Sequence, residues 1–221
     1  DSGYDKRTQA GDIREVLATL GIEHSVVVGH DIGTMVAYAY AARYPKRTDR
    51  LVVMDAPVPG IPPWDDIVRL PALWHFDFGG PDAERLVAGR ERIYLDRFWN
   101  EFAGNPAKVD EATRAHYAAL YSRPGAMHAA FEQFRSIRQD AVDNKVSMAT
   151  RLTMPVLAIG GCIFAAFIGL TINKWRNGCR VGTIEFTNGM GMRSQYFLIK
   201  QLILRIALIC NRFFGNQLAI N

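Results

Sequence analysis

Residues 26–45 read VVVGHDIGTMVAYAYAARYP, and the way this stretch divides decides the fold. Its first residues complete HSVVVGH (24–30), a short continuous apolar run, the pattern of a strand buried on both faces of a parallel sheet. Its end, TMVAYAYAARY, has helical composition, and Pro45 stops it. Between them stands Asp31, with Gly29 two residues before it and Gly33 two residues after. A strand that passes through a sharp turn straight into a helix needs small residues at those two places, because the neighbouring backbone passes close. An aspartate in the turn is either a cap for the following helix or a nucleophile. In the second case the backbone N–H of Ile32, at the helix N-terminus, faces developing negative charge.

Upstream, TQAGDIREVLATL (8–20) repeats Ile13, Val16, Leu17 and Leu20 at helical spacing, and Gly21 fits its stop. Downstream, RLVVMDAP (50–57) is a second buried-strand run, closed by the breaker series PVPGIPP. From 58 to 150 the pattern is helical: PDAERLVAGRERIYLDRFWNEF, then DEATRAHYAALYSR, then GAMHAAFEQFRSIRQDAVDN after Pro124-Gly125. TMPVLAIGG (153–161) returns to the buried-strand type. This order predicts an α/β fold, a mostly parallel sheet with flanking helices and an inserted helical lid. The expected organisation is a core with the strand–turn–helix over 1–57, a lid over 58–150, a returning core strand over 151–161 and a tail over 162–221.

The 221 residues are 49% hydrophobic and 22% charged, with a formal net charge of +4. These are values for a globular chain with a sizeable core, and the charge is too weak to point to nucleic acid. It is unevenly spread. Residues 162–221 hold seven Lys/Arg against the single acid Glu185, and they contain all three cysteines (Cys162, Cys179, Cys210) and no histidine. The cysteines lack CxxC spacing, so neither a zinc site nor a disulfide framework is expected. No histidine pair has metal-ligand spacing with a third partner, so no metal and no cofactor are expected. No apolar run approaches ~18 residues and the first residues are too charged for a signal peptide, which leaves the cytoplasm as the expected location. Within the tail, FLIKQLILRIALICNRFF (197–214) gathers Lys200, Gln201, Arg205, Asn211 and Arg212 on one helical arc, the pattern of a cationic helix on a membrane surface. The competing reading of the tail is an out-of-frame or fused segment. Composition leaves the oligomeric state open.

The stretches GYDKRTQAGDIREVL, VVVGHDIGTMVAYAYAARYP, RLVVMDAPVPG and MPVLAIGG together resemble the α/β-hydrolase superfamily, and within it the lidded epoxide hydrolases and haloalkanoate dehalogenases. The resemblance covers residues 1–161. It implies a small-molecule substrate, an epoxide or organohalide. Asp31 would attack a substrate carbon and form an ester, and a histidine oriented by an acid would then activate water. It also implies opening strands and an HG oxyanion loop, which have no counterpart before Gly3. An acid and a histidine are implied after MPVLAIGG, where CIFAAFIGLTINKW follows instead. The expectation is therefore a partial fold with impaired turnover, or a non-catalytic remnant. Lid residues would line the pocket, and Trp74, His75, Tyr117 and Tyr121 are the candidates. Phe134 stands where an epoxide hydrolase is expected to carry a ring-opening tyrosine. Ile32 stands where haloacetate dehalogenases carry arginine and haloalkane dehalogenases carry tryptophan.

Overall fold

The computed structural model describes residues 2–103, 105–161 and 181–186. The elements relevant to the core are helix α1 (Lys6–Thr19), strand β1 (Ser25–His30), helix α2 (Ile32–Arg43) and strand β2 (Thr48–Met54). Helices α3 (Trp64–Ile67) to α8 follow: α4 (Pro81–Val87), α5 (Glu91–Glu101), α6 (Glu111–Tyr121), α7 (Ala126–Arg135) and α8 (Ile137–Ser147). Strands β3 (Val156–Gly161) and β4 (Val181–Phe186) close the series. The four strands form one parallel sheet in the order β1-β2-β3-β4. Contacts divide the chain into two compact units, Asp1–Leu86 with Gly125–Thr187, and Val87–Pro124 with Asn188–Asn221. Among the described residues the sheet belongs to the first unit, and α5 and α6 to the second.

Helix α2 is buried over eight consecutive residues, Thr34–Ala41, whereas a helix lying on a surface buries one stripe. Each side of it has a partner. Ala37 and Ala41 lie on the sheet against Leu51, Val53, Val156 and Ala158. Ala39 and Tyr40 meet Ala10 and Leu17 of α1. Met35 meets Trp64 and Ile137, and Tyr38 meets Val58 and Ile61. The alanines let two neighbouring elements approach closely, which explains the small-residue composition of TMVAYAYAARY.

Strands β2 and β3 are buried as their apolar runs predict, over Leu51–Met54 and Val156–Ile159. Strand β1 departs from the expectation. Val27 packs under α2, but Val26 and Val28 are 38% and 51% exposed. Among the described residues β1 pairs with β2 alone, so it is an edge, and the apolar run does not reveal that. Strand β4 lies within residues 162–221, where the sequence pattern marks no strand. It runs parallel to β3, with Val181 opposite Val156. Its sequence VGTIEF is neither a continuous apolar run nor a clean alternation. Helix α1 forms as its periodicity predicts, yet Ile13, Val16 and Leu20 are exposed, and it buries Lys6 and Ala10 instead. The long segment 81–102 is two helices, because Gly89 adopts a φ of 73° between them.

A buried charge fastens α1 to the α7–α8 corner. Lys6 is 1% exposed. Its ammonium donates to the carbonyls of Tyr4 (3.1 Å) and Gln133 (2.8 Å) and to Ser136 Oγ (2.9 Å), and it lies 3.2 Å from Asp140 Oδ2. Asp140 Oδ1 accepts the Lys6 backbone N–H at 2.7 Å. Burial disfavours both charges, lowering the Lys6 pKa and raising that of Asp140, while their mutual attraction opposes it. Breaking one half of such a pair leaves the other charge buried and unmatched, which costs about 3–5 kcal/mol. Lys6→Met is therefore expected to lower the unfolding free energy by about 3 kcal/mol in urea titrations. The double variant Lys6→Met/Asp140→Leu should recover most of that loss.

Candidate active site

The turn between β1 and α2 is built as tightly as its sequence predicts. A Cβ added to Gly29 would stand 2.1 Å from the Gly33 carbonyl oxygen and 2.7 Å from the Thr34 nitrogen, so no side chain fits there. Gly33 carries a different burden, since a Cβ on it would meet nothing within 4 Å. What counts at Gly33 is its backbone, pressed against Gly29. Asp31 holds φ 54° and ψ −128°, a conformation that costs a non-glycine residue about 1–3 kcal/mol.

Two readings of Asp31 make different demands on its side chain. A capping aspartate adopts extended backbone and accepts a hydrogen bond from the helix's first turn. Asp31 has positive φ and makes no side-chain cap bond. The residue is exposed as a whole, yet the protein gathered around its carboxyl disfavours the charged form and raises its pKa. His30 and the Ile32 backbone N–H act the other way, and Asp55 adds to the rise.

Thr34 holds the turn to the sheet, a role that its place in a helix does not advertise. Fully buried, its Oγ1 accepts the Met54 N–H at 2.9 Å and shares its proton between the carbonyls of Gly29 (2.9 Å) and Met54 (2.8 Å). The Asp31 N–H also donates to the Met54 carbonyl, at 3.1 Å. One hydroxyl thus joins the ends of β1 and β2.

The same edge of the sheet carries a second carboxylate. His30 pairs in register with Met54, so Asp55 begins the turn after β2 as Asp31 does after β1. Asp55 also has positive φ, 50°, and its N–H donates to the Ile159 carbonyl at 3.1 Å. Its Oδ2 lies 3.8 Å from His30 Nε2, with the side chains 39% and 49% exposed. Strand alternation predicts that His30 turns away from Asp31. The partner the structure shows for the His30 ring is Asp55. The signal that marks Asp55 in the sequence is the one that marks Asp31, an acid directly after a buried strand, here VVMDAP.

The remaining candidates fall in two places. Trp74 and His75 belong to the 3-10 segment Pro71–Phe76, in the same unit as Asp31. His75 is buried, its ring edge-on to Phe76 (4.8 Å) and Phe134 (5.2 Å). Phe134 stacks on Phe76 at 5.4 Å, and both pack against the cluster of Met35, Trp64 and Ile137. Met35 stands one helical turn after Asp31, so this aromatic group is anchored to the helix that carries the turn. Trp74 is 41% exposed and meets Phe78 edge-on at 5.0 Å. Tyr117 and Tyr121 lie on α6 in the second unit. Tyr117 packs beside Trp99, ring centroids 6.3 Å apart. Burial pushes the nearby Tyr94 phenol up to about 12, with Arg97 opposing and Tyr121 adding to the shift. Among the described residues no group of three or more His, Cys, Asp or Glu side chains is placed to hold a metal. Nor is any helix among them long and apolar enough to cross a membrane. Residues 197–214, the predicted membrane-surface helix, lie outside the described residues.

Residues 1–161 match the model of the alpha/beta hydrolase fold family. The soluble epoxide hydrolase of Corynebacterium sp. (strain C12) is 31% identical over 192 residues, which cover 83% of this chain and 67% of that enzyme. A fluoroacetate dehalogenase from Burkholderia sp. is 26% identical over 141 residues, 61% of this chain and 46% of that protein. Among solved structures, wild-type Cfl2 from Burkholderia cenocepacia superposes with a TM-score of 0.78 at 28% identity, covering 96% of this chain and 73% of its own. The epoxide hydrolase CorEH superposes with a TM-score of 0.75 at 26% identity, over 94% of this chain and 76% of its own. The chain belongs to the α/β hydrolase fold family, and its relatives support a hydrolase of that fold.

Two measurements test the turn. Thr34→Val keeps the shape but leaves the buried Met54 N–H without its acceptor, and is expected to cost about 2 kcal/mol in chemical denaturation. Asp31 binds its proton more tightly in the folded chain than in the unfolded one, so its ionisation lowers stability as pH rises past about 3.9, the ordinary carboxyl value. Asp31→Asn should therefore raise the urea midpoint at pH 7, and the gain should shrink toward pH 4.

Proposed function

We propose that the protein is a hydrolase of the epoxide hydrolase type, with Asp31 as the nucleophile. The observation that carries this reading is the Asp31 turn itself: positive φ, no side-chain capping bond and an exposed residue at the N-terminus of α2. Backbone strain kept at an exposed residue suits a group held out for attack. The similarity to the Corynebacterium enzyme supports the choice of an epoxide as substrate.

In this reading an Asp31 carboxylate oxygen bonds to an epoxide carbon as the ring carbon–oxygen bond breaks. The freed oxygen takes up a proton at His75, whose ring stands at the aromatic group of Phe76 and Phe134. That assigns to His75 the donor's part in ring opening, which Phe134 lacks the hydroxyl to play. The Ile32 N–H stabilises charge on the ester carbonyl when water later attacks it. Residues 58–150 serve as the lid, and the substrate is small.

A second reading, a haloacetate or haloalkane dehalogenase of the same fold, is favoured by the adjacent N–H-bearing rings of Trp74 and His75, 6.4 Å apart, which suit a leaving halide. The similarity to the fluoroacetate dehalogenase supports it. The experiment exposes the protein to styrene oxide and, separately, to chloroacetate, and examines the peptide containing Asp31 by mass spectrometry. An epoxide adduct on Asp31, absent in Asp31→Asn and formed about 100-fold more slowly in His75→Ala, is the expected result. Halide release from chloroacetate without an epoxide adduct would favour the second reading, and neither would end both.

A further inference from the structure

We infer that the Glu84–His128 pair is a latch across the neck of a strap, the α5–α6 hairpin, which turns on its two glycine-bearing crossings at Gly89 and Gly125. The inference goes beyond the proposed reaction and does not depend on the role of Asp31. The chain leaves the first unit after α4 and rejoins it before α7. At that point a polar contact joins α4 to the first turn of α7, with His128 Nδ1 standing 2.8 Å from Glu84 Oε1. The Tyr4 ring stands edge-on to the His128 ring, centroids 6.5 Å apart. The two side chains of the pair are 30% and 31% exposed. A contact so open to water is weak enough to break and re-form, yet it sits where it sets the resting state of the neck.

What lies on either side of the neck is held by its own bonds. In the strap, Arg92 donates to Asp96 and to both carboxylate oxygens of Glu111, and Arg114 donates to Asp96 and Asn100, so α5 and α6 are joined along their length. The strap closes at Glu91, whose carboxylate accepts the Ser122 hydroxyl at 3.2 Å and the Gly89 N–H at 3.0 Å. Helices α7 and α8 are fastened elsewhere. Lys6 binds the Gln133 carbonyl, Ser136 and Asp140, and the buried Asn144 amide donates to the Pro59 carbonyl at 3.0 Å. Gly60 is pressed against Ala141, where a Cβ would stand 2.3 Å from the carbonyl oxygen. The crossings between these two bonded bodies hold Gly89 at φ 73° and Gly125 at φ 80°. A Cβ on either would meet nothing within 4 Å, so packing does not demand glycine there. Its freedom to take either sign of φ does, and hinges form where such residues join rigid bodies.

The test measures distances in the full chain. A ketone-bearing amino acid replaces two exposed residues at a time and carries a spin label at each, Ala115 of α6 with Lys145 of α8, and Lys46 with Lys145 as a reference inside the first unit. Double electron–electron resonance then gives the spread of each distance. In His128→Leu the 115–145 distribution should be about twofold wider than in wild type, with the 46–145 distribution unchanged. Glu84→Leu should widen it equally and add nothing in the double variant, as expected of two halves of one contact. Gly89→Ala with Gly125→Ala, added to His128→Leu, should narrow the distribution again wherever its centre falls. Equal widths in wild type and His128→Leu would overturn the latch, and a distribution left wide by both alanines would overturn the glycine pivots. A 46–145 distribution that widens as much as 115–145 would show the first unit itself loosening and would overturn both.

Discussion

The contact between the backbones of Gly29 and Gly33 is the constraint on which the rest of this structure depends. A chain can pass from a strand into a helix within three residues only if nothing occupies the space between those two positions. Asp31 is the residue left at the crest, in a conformation that glycine would adopt more cheaply. The strain is tolerated because the surroundings over-determine it. Thr34 ties the first turn of α2 to both strand ends, and Met54 receives the Asp31 N–H.

Helix α2 follows from that constraint. Its start is fixed by the turn and its direction by the sheet, so Thr34–Ala41 run through the interior and are almost wholly apolar. Alanine where it crosses β2 and β3 keeps it close to the sheet, and Met35 and Tyr38 fill the wider spaces under the segments that follow β2. The Lys6–Asp140 pair gives α1 a fixed place beside it. This is a costly device, because burial works against both charges, but the network of carbonyl and hydroxyl acceptors defines one position for the helix where apolar packing would permit several.

The chemistry of the edge is a consequence of parallel strands. In a parallel sheet every strand delivers its next residue to the same edge, so two strands ending in acids place two carboxylates side by side. The dense surroundings of Asp31 raise its pKa, His30 limits the rise, and Asp55 adds a little to it. Asp31, His30 and Asp55 thereby come to one edge of the sheet.

Much of this was legible in the sequence. The glycine spacing around Asp31, the two apolar runs of β1 and β2, the return at β3 and the helical block between them are local patterns, and local sterics and periodicity determine them. The identity of the buried face of α1, the edge status of β1 and the presence of β4 were not legible, because burial depends on what lies opposite and no local pattern encodes a distant partner. For the same reason Lys6 reads as a surface residue until Asp140, distant in sequence, is brought to it. Trp74 and His75 could be picked out as polar aromatics, but the link of His75 to the turn, through Phe76, Phe134 and Met35, is a fact of packing. Sequence alone determined that an aspartate stands in a strained turn, since the turn is made by its immediate neighbours. That His30 and Asp55 share its corner was decided by strand register, which only the assembled sheet can set.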